Sequence, residues 1–154
     1  MPQSAAVATS VTARYQSMKQ LFINLPVKDL AAASHFYREL GFAANPLFTF
    51  EDQVCMVYSD QIYLMLQTYN MSARKDGKRL ADPRHNRIAT FTLPVESARQ
   101  VDAMMAKGLA AGGAELSEVR DAPFLYIRYI EDTDGHSWGI MCLDMEKFKG
   151  ATGR

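Results

Sequence analysis

The feature that most constrains the fold is a short strand-like segment that the chain uses twice. Residues 22–27 read FINLPV, and residues 90–95 read TFTLPV. Each copy is mostly apolar, ends in Leu-Pro-Val and runs directly into a segment with helical spacing. The proline ends strand hydrogen bonding and leads the chain towards the helix. A repeated unit of this kind predicts two paired modules, because each module alone exposes an apolar face that it cannot bury.

The first copy is followed by one helix and three strands. Asp29 is a suitable N-cap, apolar residues then recur at helical spacing, and Gly41 can end the helix in a left-handed conformation. Short polar turns separate three strand candidates at residues 42–50, 53–58 and 61–68. The first half therefore predicts the order β-α-β-β-β.

The second copy leads into the same order of elements. Ser97 can cap a helix whose apolar stripe stops at Gly112 and Gly113. Three further strand candidates follow at residues 114–119, 124–131 and 136–143. We therefore expect an α+β fold built from two βαβββ modules. The alternative is an ordinary α+β domain in which two strand–helix starts look alike by coincidence.

The duplication also divides the chain into segments. Residues 1–17 carry one arginine and no acidic residue, show no clear period, and predict a flexible extension. One domain is expected over residues 18–144, and residues 145–154 are expected to form a C-terminal tail. Within the domain we assign residues 20–69 to module one, 70–87 to a basic connector and 88–144 to module two.

Composition narrows the classes of function. The 17 basic and 17 acidic residues balance, so no net charge favours nucleic acid or an anionic membrane as a partner. No apolar run approaches the roughly 18–20 residues that a membrane span needs. Cys55 and Cys142 lie in apolar strand-like runs and are expected to be reduced core residues of a cytoplasmic protein.

Three motifs resemble a known superfamily. They are VKDL at residues 27–30, FYRELGF at 36–42 and EDTDGHSW at 131–138. In this order the motifs are similar to those of the glyoxalase/bleomycin-resistance/dioxygenase group, the vicinal oxygen chelate superfamily. The resemblance implies two modules whose curved sheets close round a cleft, and it implies a homodimer. In metal-dependent members of the group, His and Glu side chains enter the cleft from the first and last strand of each module.

Those four metal positions carry no suitable ligand here. Aligned on the motifs, they fall on Phe22, Leu66, Thr90 and Gly139. A neutral threonine hydroxyl is a poor ligand, and the other three side chains have no donor atom. The sequence therefore predicts no metal and no cofactor, and catalytic residues remain unassigned. Asn24 and Thr92 share the cleft face with Phe22 and Thr90 by period two, but both are weak ligands.

The same alignment suggests a wall for a ligand cleft. Tyr126 and Arg128 alternate along one strand, and an arginine beside a cleft is a natural anchor for a carboxylate or phosphate. Trp138 flanks Gly139, although core packing explains Trp138 equally well. The ligand-binding candidates are Phe22, Asn24, Leu66, Thr90, Thr92, Tyr126, Arg128, Trp138 and Gly139.

The connector at residues 70–87 has six basic and two acidic residues. One explanation of this composition is a solvated linker. The alternative hypothesis is a mobile lid that draws an anionic ligand to the cleft through Lys78 and Arg79.

Three functions remain open at this point. The leading hypothesis is a metal-independent protein that binds a small molecule, for sequestration or resistance. The second is a lactoylglutathione-lyase-like or dioxygenase-like enzyme with a non-standard site. The third is a structural or regulatory module whose cleft is filled by its own side chains, with Phe22 and Leu66 as candidates. The sequence names neither the ligand nor the dimer arrangement.

Overall fold

The computed structural model describes residues 19–154, except for the side chains of residues 117–119. The predicted N-terminal extension, residues 1–17, lies outside the described residues. In chain order the elements are β1 (Leu21–Val27), α1 (Leu30–Glu39), β2 (Ala43–Phe50), β3 (Gln53–Val57), β4 (Ile62–Thr68), α2 (Tyr69–Ser72), β5 (Thr90–Pro94), α3 (Ala98–Ala110), β6 (Ala114–Ala122), β7 (Leu125–Glu131), β8 (Ser137–Leu143) and α4 (Met145–Thr152).

The two halves have the same topology, so the predicted duplication is confirmed. The first sheet has the strand order β1-β4-β3-β2, and the second has the order β5-β8-β7-β6. In each sheet the first and last strands of the module pair in parallel, and the other pairs are antiparallel. Each module is therefore a βαβββ unit, and the fold class is α+β.

The helix boundaries follow from the predicted caps. The Asp29 side chain accepts a hydrogen bond from the Ala32 amide at 3.0 Å, and Ser97 does the same for the Gln100 amide at 3.2 Å. These bonds satisfy amides that the first helical turn leaves without partners. Gly41 and Gly112 follow the two helices with φ near +100°, a backbone region that favours glycine.

The predicted strands agree with the observed ones at most ends. The main difference is β6, which extends to Ala122 because Ala122 pairs with Leu125 and only two residues make the turn into β7. The C-terminal tail also contains regular structure. Asp144 caps α4, and the Phe148 ring of this helix packs against Phe124 at a centroid distance of 5.5 Å.

The main hydrophobic core lies on one face of each sheet, where α1 and α3 pack, and a smaller buried cluster of Cys55, Tyr63 and Met65 lies on the other face of the first sheet. The main core joins both modules, since Phe36 and Tyr37 of α1 share one buried cluster with Met105 of α3 and with Ile130 and Trp138. We call this side of the sheets the helix face and the opposite side the cleft face. Among the described residues, no helix combines the length and the apolar character needed to cross a membrane.

Candidate ligand site at the junction of the modules

The cleft face carries five of the nine sequence candidates. Phe22 and Asn24 lie on it in β1, with the Phe22 ring stacked on Tyr63 of β4 at 4.6 Å. In module two, Thr90 donates a hydrogen bond to the Ser137 hydroxyl at 3.2 Å. Thr92 pairs with Gly139, and a Cβ atom on Gly139 would lie 3.1 Å from the Thr92 hydroxyl.

Leu66 does not join this group. It is fully buried and pairs with Leu25 on the helix face. Asn24 pairs with Met65 as Thr92 pairs with Gly139, so Met65 is the residue of module one that corresponds to Gly139. The alignment was thus displaced by one residue at this strand, and a displacement of one residue moves a side chain to the opposite face.

The corrected set of four positions is Phe22, Met65, Thr90 and Gly139. It offers one thioether and one hydroxyl but no carboxylate or imidazole, and therefore does not fit the nitrogen and oxygen ligands of a divalent metal. Among the described residues, no group of three or more His, Cys, Asp or Glu side chains is arranged to hold a metal ion.

Tyr126 and Arg128 lie on the helix face instead of the cleft face. The Tyr126 hydroxyl donates to Asp102 of α3 at 2.7 Å, and Arg128 forms ion pairs with Asp102 at 2.8 Å and Glu115 at 2.7 Å. The hydrogen bonds from Tyr126 and Arg128 lower the pKa of Asp102 below its ordinary value. Arg128 thus holds β6, β7 and α3 together and is not available as an anchor in the cleft.

Trp138 also lies on the helix face, where it takes part in a buried network between the modules. Its ring nitrogen donates to the Tyr37 hydroxyl at 2.9 Å, and Tyr37 donates to Asp132 Oδ2 at 2.5 Å. Burial raises the pKa of Tyr37 well above its ordinary value, and the nearby charge of Asp132 acts in the same direction. Tyr37 therefore stays protonated and remains a donor. We call these three residues the inter-module network.

Asp132 also shapes the turn that follows β7. Its Oδ1 atom accepts hydrogen bonds from the amides of Asp134, Gly135 and His136 at 2.8–2.9 Å. One carboxylate therefore fixes the 132–136 turn through Oδ1 and joins it to α1 of the other module through Oδ2. The sequence identifies DTDG as a turn, but it does not indicate this second role.

The 132–136 turn contacts the end of β1. The Lys28 amide donates to Asp134 Oδ1 at 2.9 Å, and burial raises the pKa of Asp134 above its ordinary value. His136 Nε2 lies 2.8 Å from the Pro26 carbonyl. Since a carbonyl can only accept, Nε2 of His136 carries the proton. Together, these contacts hold the first strand of module one beside module two.

The connector is docked on the same turn. Arg84 donates from Nη2 to the Thr133 carbonyl at 3.1 Å. Asp82 starts a tight turn in which its carboxylate accepts from the Arg84 amide at 3.0 Å, and this bond lowers the pKa of Asp82. Gly135 has φ +104°, and a Cβ atom there would lie 2.8 Å from the Arg84 nitrogen. The connector is therefore anchored at residues 82–86, unlike a solvated linker.

A cavity of about 300 Å³ lies where β1, the connector and the 132–136 turn meet. We call it the seam cavity. Its walls are mainly apolar and include Leu25, Pro26, Leu80, Pro83, Ile88 and Phe91. Asn86, Arg87, His136 and Ser137 supply polar groups. Apolar walls with a few convergent polar groups are typical of small-molecule sites.

A second space of about 370 Å³ adjoins it on the cleft face of module one. We call it the module-one recess. Asn24, Gln67 and Arg74 line it, and it shares Pro26 and Leu80 with the seam cavity. Gln67 is a site residue that the sequence did not single out. Of the two side chains that the third hypothesis named, Leu66 points into the core, whereas Phe22 lies on the cleft face, 42% exposed and stacked on Tyr63.

Comparisons with known proteins agree with this architecture. A family model described as bleomycin resistance protein-like N-terminal matches residues 19–59. No curated protein sequence matches this chain. A hypothetical protein from S. aureus is 26% identical, with a TM-score of 0.68 over 84% of this chain and 98% of that chain.

Two further solved structures share the fold. A glyoxalase/bleomycin resistance protein/dioxygenase family enzyme from Burkholderia phytofirmans is 14% identical, with a TM-score of 0.68 over 82% of this chain and 99% of that chain. A glyoxalase-related enzyme from Fulvimarina pelagi is 24% identical, with a TM-score of 0.66 over 81% of this chain and 88% of that chain. The chain therefore shares its two-module fold with these glyoxalase/bleomycin-resistance/dioxygenase proteins, and residues 19–59 resemble the bleomycin resistance protein-like N-terminal family.

Proposed function

We propose that this protein binds a small organic molecule in the seam cavity without a metal ion. The observation that carries the proposal is the seam cavity itself, about 300 Å³ in volume, mainly apolar, and placed between the modules under an anchored connector. The donor set at Phe22, Met65, Thr90 and Gly139 supports the metal-independent form of this proposal, because it lacks the ligands that a divalent ion requires.

The biological role that we propose is sequestration or resistance in the cytoplasm. Binding alone is sufficient for such a role, so no catalytic group has to be present. The similarity of residues 19–59 to a bleomycin resistance protein-like family supports this choice over an enzyme.

We also propose that the protein is a homodimer. Several large apolar side chains are exposed in the single chain, namely Leu21, Phe22, Leu47 and Phe50 in the edge strands β1 and β2. Exposed apolar patches on edge strands mark interaction surfaces. Sedimentation should give about twice the chain mass of 17.2 kDa, and a single-chain mass at micromolar concentration would contradict the proposal.

Filling the seam cavity should weaken binding. Ala89 is one of the small residues on its wall, so Ala89→Trp places a large ring there. With 2-naphthol as a neutral aromatic probe, we expect the variant to bind at least about tenfold more weakly than the unmodified protein, a loss of roughly 1.4 kcal/mol. Fluorescence titration measures the affinity, and circular dichroism checks the fold.

The matched control is Ala31→Trp, since Ala31 is exposed on α1 and does not line the cavity. This control should bind 2-naphthol like the unmodified protein. If Ala89→Trp folds and binds the probe with unchanged affinity, the seam cavity is not the binding site.

A further inference from the structure

The charges on the walls of the two cavities have one sign. Arg87 lines the seam cavity and Arg74 lines the module-one recess. Among the described residues that line either space, none is Asp or Glu. A bound cation would therefore find no carboxylate there, whereas an anion would find a guanidinium group in each space.

The nearby acidic groups are already used by the protein. Asp132 accepts three amides and the Tyr37 hydroxyl, and Asp134 accepts the Lys28 amide. Asp82 accepts the Arg84 amide. These carboxylates serve turns and contacts between modules, and within the part of the chain that the structure describes none of the three forms an ion pair with Arg74 or Arg87.

The two arginines, by contrast, are largely available. Arg74 lies 3.9 Å from Asp76, and both side chains are exposed, which makes this a weak pair. Within residues 19–154, the Arg87 side chain has no hydrogen-bond or ion-pair partner. An arginine that borders an apolar cavity without a partner can bind an acidic group of a ligand at little cost to the protein.

The remaining polar groups of the seam cavity are partly occupied. Asn86 donates its side-chain amide to the Asp82 carbonyl, and His136 donates Nε2 to the Pro26 carbonyl. The Ser137 hydroxyl accepts from Thr90 and can still donate its own proton. The donors left for a ligand are thus Arg87, the Ser137 hydroxyl and the second N–H of the Asn86 amide, which all suit oxygen acceptors.

We propose that the ligand of the seam cavity is an organic anion, with an aromatic or other apolar body against Phe91, Pro83 and Leu80 and a carboxylate bound by Arg87. This inference rests on the proposed function, since it names the class of ligand for the same cavity. It also changes the predicted role of the connector. Lys78 and Arg79, the cations of the lid hypothesis, line neither space, and Arg87 takes their place as the anchor.

The test compares three probes that share one ring system: 2-naphthoate, neutral 2-naphthol and 2-naphthylmethylammonium. We expect 2-naphthoate to bind most tightly and the ammonium probe most weakly. Arg87→Gln should weaken 2-naphthoate binding by about tenfold, the value of one charge-assisted hydrogen bond, and leave 2-naphthol binding unchanged. Arg99→Gln on α3 is the matched control, because Arg99 is exposed and lines neither space; it should change neither affinity.

The outcomes separate the two proposals. If 2-naphthol and the ammonium probe bind as tightly as 2-naphthoate, or if Arg87→Gln leaves 2-naphthoate binding unchanged, the anionic ligand class is wrong while the binding function stands. If none of the three probes binds to the folded protein, both proposals fail. Raising the salt concentration should weaken 2-naphthoate and leave 2-naphthol unaffected, because only the charged contact is screened.

Discussion

Replacing Asp132 with alanine is expected to lower the free energy of unfolding by at least about 3 kcal/mol. The Asp132 carboxylate is buried and accepts four hydrogen bonds, three from the amides of its own turn and one from Tyr37. Alanine leaves three of these donors without the carboxylate, while the Gly135 amide keeps its bond to the carbonyl of residue 132. An unsatisfied buried donor costs about 1–3 kcal/mol. Urea denaturation monitored by Trp138 fluorescence measures the change.

Two further variants make this prediction decisive. Asp132→Asn keeps an oxygen at the position of Oδ1, so it should lose less than half as much stability as Asp132→Ala does. Tyr37→Phe removes only the hydroxyl between Asp132 and Trp138 and should lower the free energy of unfolding by about 1–2 kcal/mol. This variant still tests the network if Asp132→Ala does not fold. A loss below 1 kcal/mol for both Asp132→Ala and Tyr37→Phe would show that the inter-module network does not hold the modules together.

Replacing Gly135 with alanine is expected to destabilise the protein by about 2–4 kcal/mol and to detach the connector. Gly135 has a positive φ, and the new Cβ atom would lie within 3.0 Å of three backbone atoms of Pro83 and Arg84. Because backbone atoms cannot rotate away, the connector must move. The seam cavity then loses a wall, and the affinity for 2-naphthol should fall.

Gly77 provides the matched control. It also has a positive φ, +79°, but a Cβ atom there meets no atom within 4 Å. Gly77→Ala should therefore show only the backbone penalty of about 1–2 kcal/mol and leave probe binding unchanged. Equal effects of the two substitutions on stability and binding would mean that the connector is not held against the 132–136 turn.

The fold could be predicted from the sequence because its signals are local and occur twice. Asp29 and Ser97 cap the helices at the expected places, and Gly41 and Gly112 follow their ends. The two copies of the Leu-Pro-Val segment then fix the order of the modules. Each of these signals acts over only a few residues, so it can be recognised without knowing which strands pair.

The cleft could be predicted only in part. In the run LMLQTYN three successive apolar residues, 64–66, give no alternation, so the sequence alone could not show that Leu66 faces the core and Met65 the cleft. Tyr126 and Arg128 were ambiguous for a similar reason, because both faces of β7 carry an aromatic side chain. Only their partners Asp102 and Glu115, distant along the chain, identify the helix face.

The docking of the connector depends on contacts between residues that are far apart in the sequence, and local sequence patterns do not predict such contacts. Arg84 bonds to Thr133 almost fifty positions away, and Gly135 makes room for this contact. One local signal was present, since Asp82 followed by Pro83 is typical of a turn. Applied to the connector, this signal would have predicted an ordered bend at residues 82–86.

Whether the seam cavity binds its ligand without a metal is tested by titration with 2-naphthoate after treatment with EDTA. The titration is repeated after addition of Ni²⁺, Zn²⁺ and Fe²⁺ in turn, and the dialysed protein is examined by elemental analysis. We predict the same affinity for 2-naphthoate in every case, and we predict that the dialysed protein retains far less than one ion per chain. One tightly held ion per chain, or binding that appears only when an ion is added, would contradict a metal-independent site in the seam cavity.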